Sequence, residues 1–259
     1  MDKAIITTSN LAIGYPSKTE KLVLASGINI KLNAGKLISL VGPNGVGKST
    51  LLRTLCGLQP AIEGEVRLNN LPFAQLSPQV RAQELALVLT EKIPMSNLTV
   101  YELIALGRQP YTNWLGQLSE DDKNQINNAI RLTEVESFLD RKHYAISDGQ
   151  LQRVLIARAL AQNTPWMVLD EPTTHLDLVH KVSVFRLLKK LAIETGKCIL
   201  FSTHDIDLAI QLSDEMLVMT EGKVVLDQPC NHISSGIFNT LFQDASIQFD
   251  ASKGRFSFK

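Results

Sequence analysis

Four polar stretches of this chain carry residues suited to phosphate chemistry. Gly42-Pro43-Asn44-Gly45-Val46-Gly47-Lys48-Ser49-Thr50 has the spacing G-x-x-x-x-G-K-[ST] of a phosphate-cradling loop. Its glycines let the backbone wrap a phosphate, with N–H groups pointing inward at the start of a helix. Lys48 is placed to reach β- and γ-phosphates, and the Ser49 hydroxyl to bind Mg2+. Asp170 follows four apolar residues and is placed to hold Mg2+ through water. Glu171 comes next and can act as general base toward an attacking water. His204 ends a second apolar run and can donate a hydrogen bond to a γ-phosphate while ordering Glu171 and the water. Phosphoryl transfer is mostly positioning and charge neutralisation, so these groups suffice for a hydrolytic site. In Ser147-Asp148-Gly149-Gln150, Ser147 caps a helix and Gly149 permits close backbone approach. That helix N-terminus is a second anion site. One γ-phosphate would hardly use both sites of one chain, which points to a second copy.

The surrounding pattern supplies the elements that must hold these groups. Leu37–Val41 reads as a strand buried on both faces, and Leu51–Cys56 as a helix stopped by Gly57. Trp166–Leu169 and Cys198–Ser202 are apolar strands ending at Asp170-Glu171 and Thr203-His204. Open α/β sheets bind ligands at such C-terminal strand ends. Alternation near 5–13 and 22–32 predicts half-buried antiparallel strands, with a turn at Gly14-Tyr15-Pro16-Ser17. Gly64–Leu68 predicts a strand entering a turn at Asn69-Asn70, and Leu85–Leu89 a short strand ending at Thr90-Glu91. From 95 to 161 the pattern is helical. A capping box stands at Thr99/Glu102, and Ser119-x-x-Asp122 and Ser147-x-x-Gln150 mark the starts of two further helices. An all-helical segment inserted into a βα protein reads as a subdomain. A helix over 178–194 should bury Val182, Phe185, Leu188 and Leu191. A helix near 206–212 and strands near 215–219 and 223–227 follow. The last thirty or so residues are weakly patterned.

Bulk composition narrows the class. The 259 residues make one large domain, or a core with a smaller subdomain. Lys+Arg and Asp+Glu are equal at 26 each, which argues against a nucleic-acid binder, although a local basic patch is compatible with this balance. No apolar run approaches the ~18 residues that span a bilayer, and the N-terminus lacks a signal-peptide core. A cytosolic chain reaching a membrane through a partner is expected. Cys56, Cys198 and Cys230 are scattered, and the first two lie in core elements, so buried free thiols are expected.

Taken together, these motifs resemble those of the ABC ATPase family over nearly the whole chain. Gly42–Thr50 is similar to Walker A, Ser147–Gln150 to the signature and Leu169-Asp170-Glu171-Pro172 to Walker B. His175-Leu176-Asp177 is similar to the D-loop, and His204 to the switch histidine. The resemblance implies an α/β fold: a RecA-like P-loop NTPase core with a mixed, largely parallel sheet and flanking helices, an antiparallel β edge and an inserted all-helical subdomain. Residues 1–94 and 162–259 would form the nucleotide-binding core with its antiparallel β subdomain, and 95–161 the helical signature subdomain. It further implies ATP and Mg2+ as ligands and a head-to-tail homodimer. Each ATP would lie between Walker A of one copy and Ser147, Gly149 and Gln150 of the other, with Asp177 at the interface. Tyr15 would stack on adenine; its other reading is a turn tyrosine. Two positions depart from the family pattern. Asp148 replaces a glycine, a form familiar from iron-chelate and haem importers. Thr90-Glu91 stands where the family has a glutamine that touches Mg2+. Thr90 acting through water is favoured by position, and Glu91 is the alternative.

The stretch Asn97–Tyr111 and the segment Thr203–Ala209 resemble importers for siderophores, haem and vitamin B12. The implied function is ATP hydrolysis that energises a membrane importer from the cytoplasmic side of the inner membrane. Integral permease subunits would be direct partners, and a substrate-binding protein an indirect one. Pro110, Tyr111 and Trp114 would border the groove for the permease; packing of the subdomain core is their other reading. The alternative is a soluble ABC-type ATPase without a permease, acting on DNA, ribosomes or cluster assembly. Only about a hundred residues separate Lys48 from Ser147, too few for a long coiled-coil insertion. The single phosphate loop stands against two-cassette translation factors. A P-loop kinase or GTPase would leave Ser147–Gln150 and His204 without a role.

Overall fold

The computed structural model describes residues 4–16, 21–90, 94, 96–242, 244 and 246–258. The chain opens with β1 (Ala4–Tyr15), β2 (Leu22–Ile28), β3 (Lys31–Asn33) and β4 (Leu37–Val41). Next come α1 (Lys48–Leu55), β5 (Glu63–Leu68), β6 (Leu71–Pro72), α2 (Pro78–Glu84) and β7 (Leu85–Val88). Helices α3 (Val100–Ala105), α4 (Glu120–Thr133) and α5 (Asp148–Ala161) precede β8 (Trp166–Leu169), α6 (Leu178–Thr195) and β9 (Cys198–Ser202). The chain closes with α7 (Ile206–Leu212), β10 (Glu215–Thr220), β11 (Lys223–Asp227), α8 (Pro229–Ser235), β12 (Ile247–Asp250) and β13 (Arg255–Phe258).

The central sheet has the order β11-β10-β4-β9-β8-β7. Strands β10, β4, β9, β8 and β7 pair in parallel, and β11 closes one edge antiparallel to β10. Every residue of β4, β8 and β9 is buried, as in a parallel sheet covered on both faces. The sheet β2-β1-β5-β6, with β3 also on β1, is antiparallel and supplies the expected β edge. Asn69 and Asn70 join β5 to β6 with φ of 48° and 68°, the left-handed pair that a tight hairpin turn requires.

The helices between β7 and β8 begin where side-chain caps were expected. All three capping boxes form, at Thr99/Glu102, Ser119/Asp122 and Ser147/Gln150. One apolar cluster runs from Leu103 and Ile126 through Val154, Ala157 and Leu160 of α5 to Val88 of β7 and to Phe185 and Leu188 of α6. Helix α5 is therefore rooted in the same core as the central sheet. In α6, Phe185, Leu188 and Leu191 are buried as expected, whereas Val182 is only half-buried.

Two parts differ from the sequence expectation. Helix α2 is capped by Ser77, which accepts the Val80 N–H, and opens on Pro78, but none of its residues is buried. An amphipathic stripe is thus missing, and periodicity gives no sign of it. The C-terminal segment is organised by aromatic contacts rather than by local pattern. Phe238, fully buried, meets Phe249 at 4.7 Å and Phe256 at 6.4 Å between ring centres, and Phe242 meets Phe256 at 5.1 Å. The hairpin β12–β13 is tied to α7 where the Phe256 N–H donates to Asp207 Oδ1 at 3.4 Å. Cys56 and Cys198 are buried and Cys230 is exposed, all three as free thiols, and burial pushes the first two well above the usual thiol range.

Candidate active site

The phosphate loop leaves β4 in the middle of the central sheet and enters α1 at Lys48. Gly47 takes φ of 113°, a region open chiefly to glycine. At Gly42 a Cβ would come within 2.4 Å of the Met219 carbonyl oxygen, so only glycine lets the loop pass β10. Inside the loop, Lys48 Nζ donates to the carbonyls of Gly42 (2.9 Å) and Pro43 (3.1 Å). Burial pushes the Lys48 ammonium below its ordinary value, and the charges of Glu171 and Asp170 oppose this. Asn44, Gly45 and Ser49 are exposed, and Val46 is half-buried. The hydroxyls of Tyr15 and Thr50 lie 3.0 Å apart, so Tyr15 is held at the base of α1 by a hydrogen bond. Its half-exposed ring remains available on the outer side.

The candidate hydrolytic groups are assembled by strand register. β8 and β9 run in parallel with Leu169 paired to Phe201, and β9 lies between β8 and β4. Asp170-Glu171 and His204 therefore leave adjacent strands at the same end of the sheet. His204 Nε2 makes direct contact with Glu171 Oε1, and the Thr174 hydroxyl donates to Glu171 Oε2 at 3.1 Å. Glu171 sits at φ of 48°, a strained conformation for a residue with a side chain. The Ser202 hydroxyl donates to Asp170 Oδ1 at 2.6 Å and accepts the Glu171 N–H at 2.8 Å. The Thr90 hydroxyl donates to the Asp170 main-chain carbonyl at 3.0 Å. Glu91, the alternative to Thr90, lies outside the described residues.

The residues expected to form a second anion site stand at the start of α5. Ser147 Oγ accepts the Gln150 N–H (3.3 Å), and Gln150 Oε1 accepts the Ser147 N–H (3.0 Å). This reciprocal cap fixes the turn and leaves Ser147 and Asp148 exposed. Asp148 faces a cavity of about 290 Å³ that Thr90, Gln152, Asp170, Glu171 and His175 also line. Asp177 caps α6 and accepts both the His180 N–H (2.8 Å) and His180 Nδ1 (2.7 Å). These bonds hold its carboxyl below the usual carboxylate range. His180 in turn lies against the Cα of Gly149. Among the described residues no hydrogen bond joins Ser147, Gly149, Gln150 or Asp177 to the phosphate loop.

The fold therefore brings Lys48, Asp170, Glu171 and His204 to one strand end, and sets the start of α5 and Asp177 apart as a second group. Sequence reading missed Ser202, Thr174 and His180. Ser202 had a signal: it is a hydroxyl at the end of an apolar strand, two residues before His204. The residues present suit a nucleoside triphosphate. The loop enters a helix N-terminus and holds a buried ammonium that, among the described residues, donates to the Gly42 and Pro43 carbonyls. Among the described residues no group of three or more His, Cys, Asp or Glu forms a metal cage. Asp170 and Ser49 instead suit Mg2+, which is commonly held by one or two protein oxygens together with substrate phosphates.

The fold is that of a P-loop nucleotide hydrolase. The family model described as ABC transporter matches residues 25–174. An ABC transporter ATP-binding protein of Methanocaldococcus jannaschii is 38% identical over 256 residues, 98% of this chain and 87% of that protein. The iron(3+)-hydroxamate import ATP-binding protein of Bacillus subtilis is 36% identical over 95% of this chain and 90% of its own length. A dimeric bacterial ABC transporter cassette is 30% identical with a TM-score of 0.73, covering 87% of this chain and 99% of that one. The chain belongs to the ABC transporter family, as one of its ATP-hydrolysing cassettes.

Proposed function

We propose that this chain energises a membrane importer for a metal-bound organic cargo such as an iron-siderophore, haem or cobalamin. Its similarity to an iron(3+)-hydroxamate import protein along almost its whole length supports this, and favours an importer over a soluble ATPase without a permease. The observation that carries the hydrolytic part of the reading is the contact between His204 and Glu171 beside a buried Lys48. Glu171 orients and deprotonates the attacking water, His204 donates to the γ-phosphate, and Lys48 neutralises charge on the β- and γ-phosphates. Gly42–Thr50 cradle the phosphates, and Tyr15 stacks on adenine. Ser49 and Asp170, with Thr90 nearby, would hold Mg2+, which would supply further charge neutralisation. Ser147, Gly149, Gln150 and Asp177 act on the ATP of a second copy, so two chains pair head to tail. The core comprises 1–94 and 162–259, and the helical subdomain 95–161.

The permease surface is read from the helical segment. Trp114 is 91% exposed and Tyr111 37% exposed, with the Tyr111 ring over Arg108 at 4.0 Å. Core packing does not account for Trp114, and an exposed aromatic suits an interface. Among the described residues no helix is long and apolar enough to cross a membrane, so docking on an integral permease from the cytoplasmic side is proposed. Glu171→Gln should bind ATP, hydrolyse it at least ~100-fold more slowly, and accumulate a dimer visible by light scattering. An ATP-loaded Glu171→Gln chain that stays monomeric would sink the paired-site reading.

A further inference from the structure

Ser202 is the last residue of β9 and is fully buried. A hydroxyl has one proton and two lone pairs. Toward a carboxylate it must donate, and toward an N–H it must accept. The bonds to Asp170 Oδ1 (2.6 Å) and from the Glu171 N–H (2.8 Å) are compatible with each other in that one direction only. The first has the short length of an O–H···O⁻ bond. It holds one oxygen of Asp170 and so fixes the plane of the carboxylate. The second holds the backbone of Glu171 where φ is 48°, a conformation that persists only when its surroundings enforce it.

We propose that Ser202 is a positioning residue of the hydrolytic site: its single hydroxyl locks the Asp170 carboxylate and the left-handed Glu171 backbone together, which aims the Glu171 side chain at His204. Ser202 is fully buried, and its hydroxyl is engaged by Asp170 and the Glu171 N–H. It acts through the two acids, and the inference rests on the reading of those acids given above. The serine also explains how strain at Glu171 is maintained next to a fully buried strand end.

The test uses the full chain with Ser202→Ala, Ser202→Cys and Ser202→Thr beside Glu171→Gln. Steady-state kcat and KM for ATP, ATP affinity by calorimetry and melting temperature are measured for each. Ser202→Ala should lower kcat roughly 10–100-fold, the usual cost of losing an orienting partner. KM and ATP affinity should stay within about threefold, since binding by the loop is untouched. Ser202→Thr, which keeps the hydroxyl, should restore kcat to within about threefold of the parent. Ser202→Cys, a near-isostere with a weak donor, should fall between alanine and parent. Parent-like kcat in Ser202→Ala overturns the proposal, as does a folded Ser202→Thr no better than alanine. Should Ser202→Ala not fold, Ser202→Cys decides: lowered kcat at unchanged KM supports the proposal, and parent-like kcat overturns it. If Glu171→Gln keeps parent activity, the hydrolytic reading itself fails. If Glu171→Gln is inactive while Ser202→Ala is parent-like, only the role of Ser202 fails.

Discussion

Replacing Gly149 by alanine tests how the second anion site is built. The new Cβ would lie 2.6 Å from His180 Cδ2, 3.2 Å from Cγ and 3.3 Å from Nε2. Carbon atoms in good contact stand about 3.5–4.0 Å apart, so the ring must move by about 1 Å. It is held by the Nδ1 bond to Asp177 but is half exposed and can swing toward solvent. Overpacking costs typically ~1–3 kcal/mol, and an escape route places this site near ~1 kcal/mol. With His180→Ala the obstacle is gone, and the helix preference of alanine over glycine should stabilise by up to ~1 kcal/mol. The double-mutant cycle should therefore show coupling of ~1–2 kcal/mol between Gly149 and His180. Urea unfolding of the parent, both single variants and the double variant reads it, with unchanged m-values as the control. Additivity within ~0.3–0.5 kcal/mol would refute the contact as the reason for glycine at 149.

Two further substitutions probe other parts of the fold. Arg108 and Asp122 are both about 3% exposed and joined at 2.7 Å, and Arg108 also donates to the Ala161 carbonyl that ends α5. Arg108→Ala leaves Asp122 Oδ1 without its partner while Oδ2 keeps its Ser119 bonds, and should destabilise by ~2–4 kcal/mol in chemical unfolding. Burial holds the Lys197 ammonium down to about 8, while its amine donates to Asn163 Oδ1 and the Thr164 carbonyl. Between about pH 8 and 10.5 the unfolded chain binds this proton and the folded chain does not. Stability should therefore rise with pH across that window, by up to about 3 kcal/mol. Lys197→Met should flatten the rise, and a parent-like slope in that variant would assign it to another group.

The candidate site was legible because each candidate residue ends a strong local pattern. Asp170 and Glu171 follow a strand of four apolar residues, His204 follows an apolar strand closed by Ser202, with Thr203 between, and Ser147 opens a capping box. These signals are local, as is the physics behind them. Helix α2 was not legible because all its residues stay partly solvated, so burial imposed no period. The C-terminal hairpin was not legible because its cohesion comes from Phe238, Phe249 and Phe256, which are far apart in the chain. The same limit hid His180, whose meaning depends on Gly149 thirty-one positions earlier. At Thr90 the sequence left two candidate side chains, and the structure adds that its hydroxyl is turned to the Asp170 carbonyl. Tyr15, expected over adenine, is also anchored to Thr50, a contact that spans 35 positions.

The parallel pairing of Leu169 with Phe201 has a consequence for how this chain tolerates changes in length. Asp170 meets Ser202, and Glu171 meets His204, because two strands are in step, not because a set number of residues separates them. Everything from α6 to the turn at Gly196 is a return path between those strands. Residues added or removed at Gly196, outside both strands, would leave the meeting of acid, serine and histidine intact. A slip of a single position between β8 and β9 would separate them without altering a single residue. A chain could therefore be cut, lengthened or joined anew near Gly196 with ATP hydrolysis retained, whereas the five residues of β9 admit no insertion.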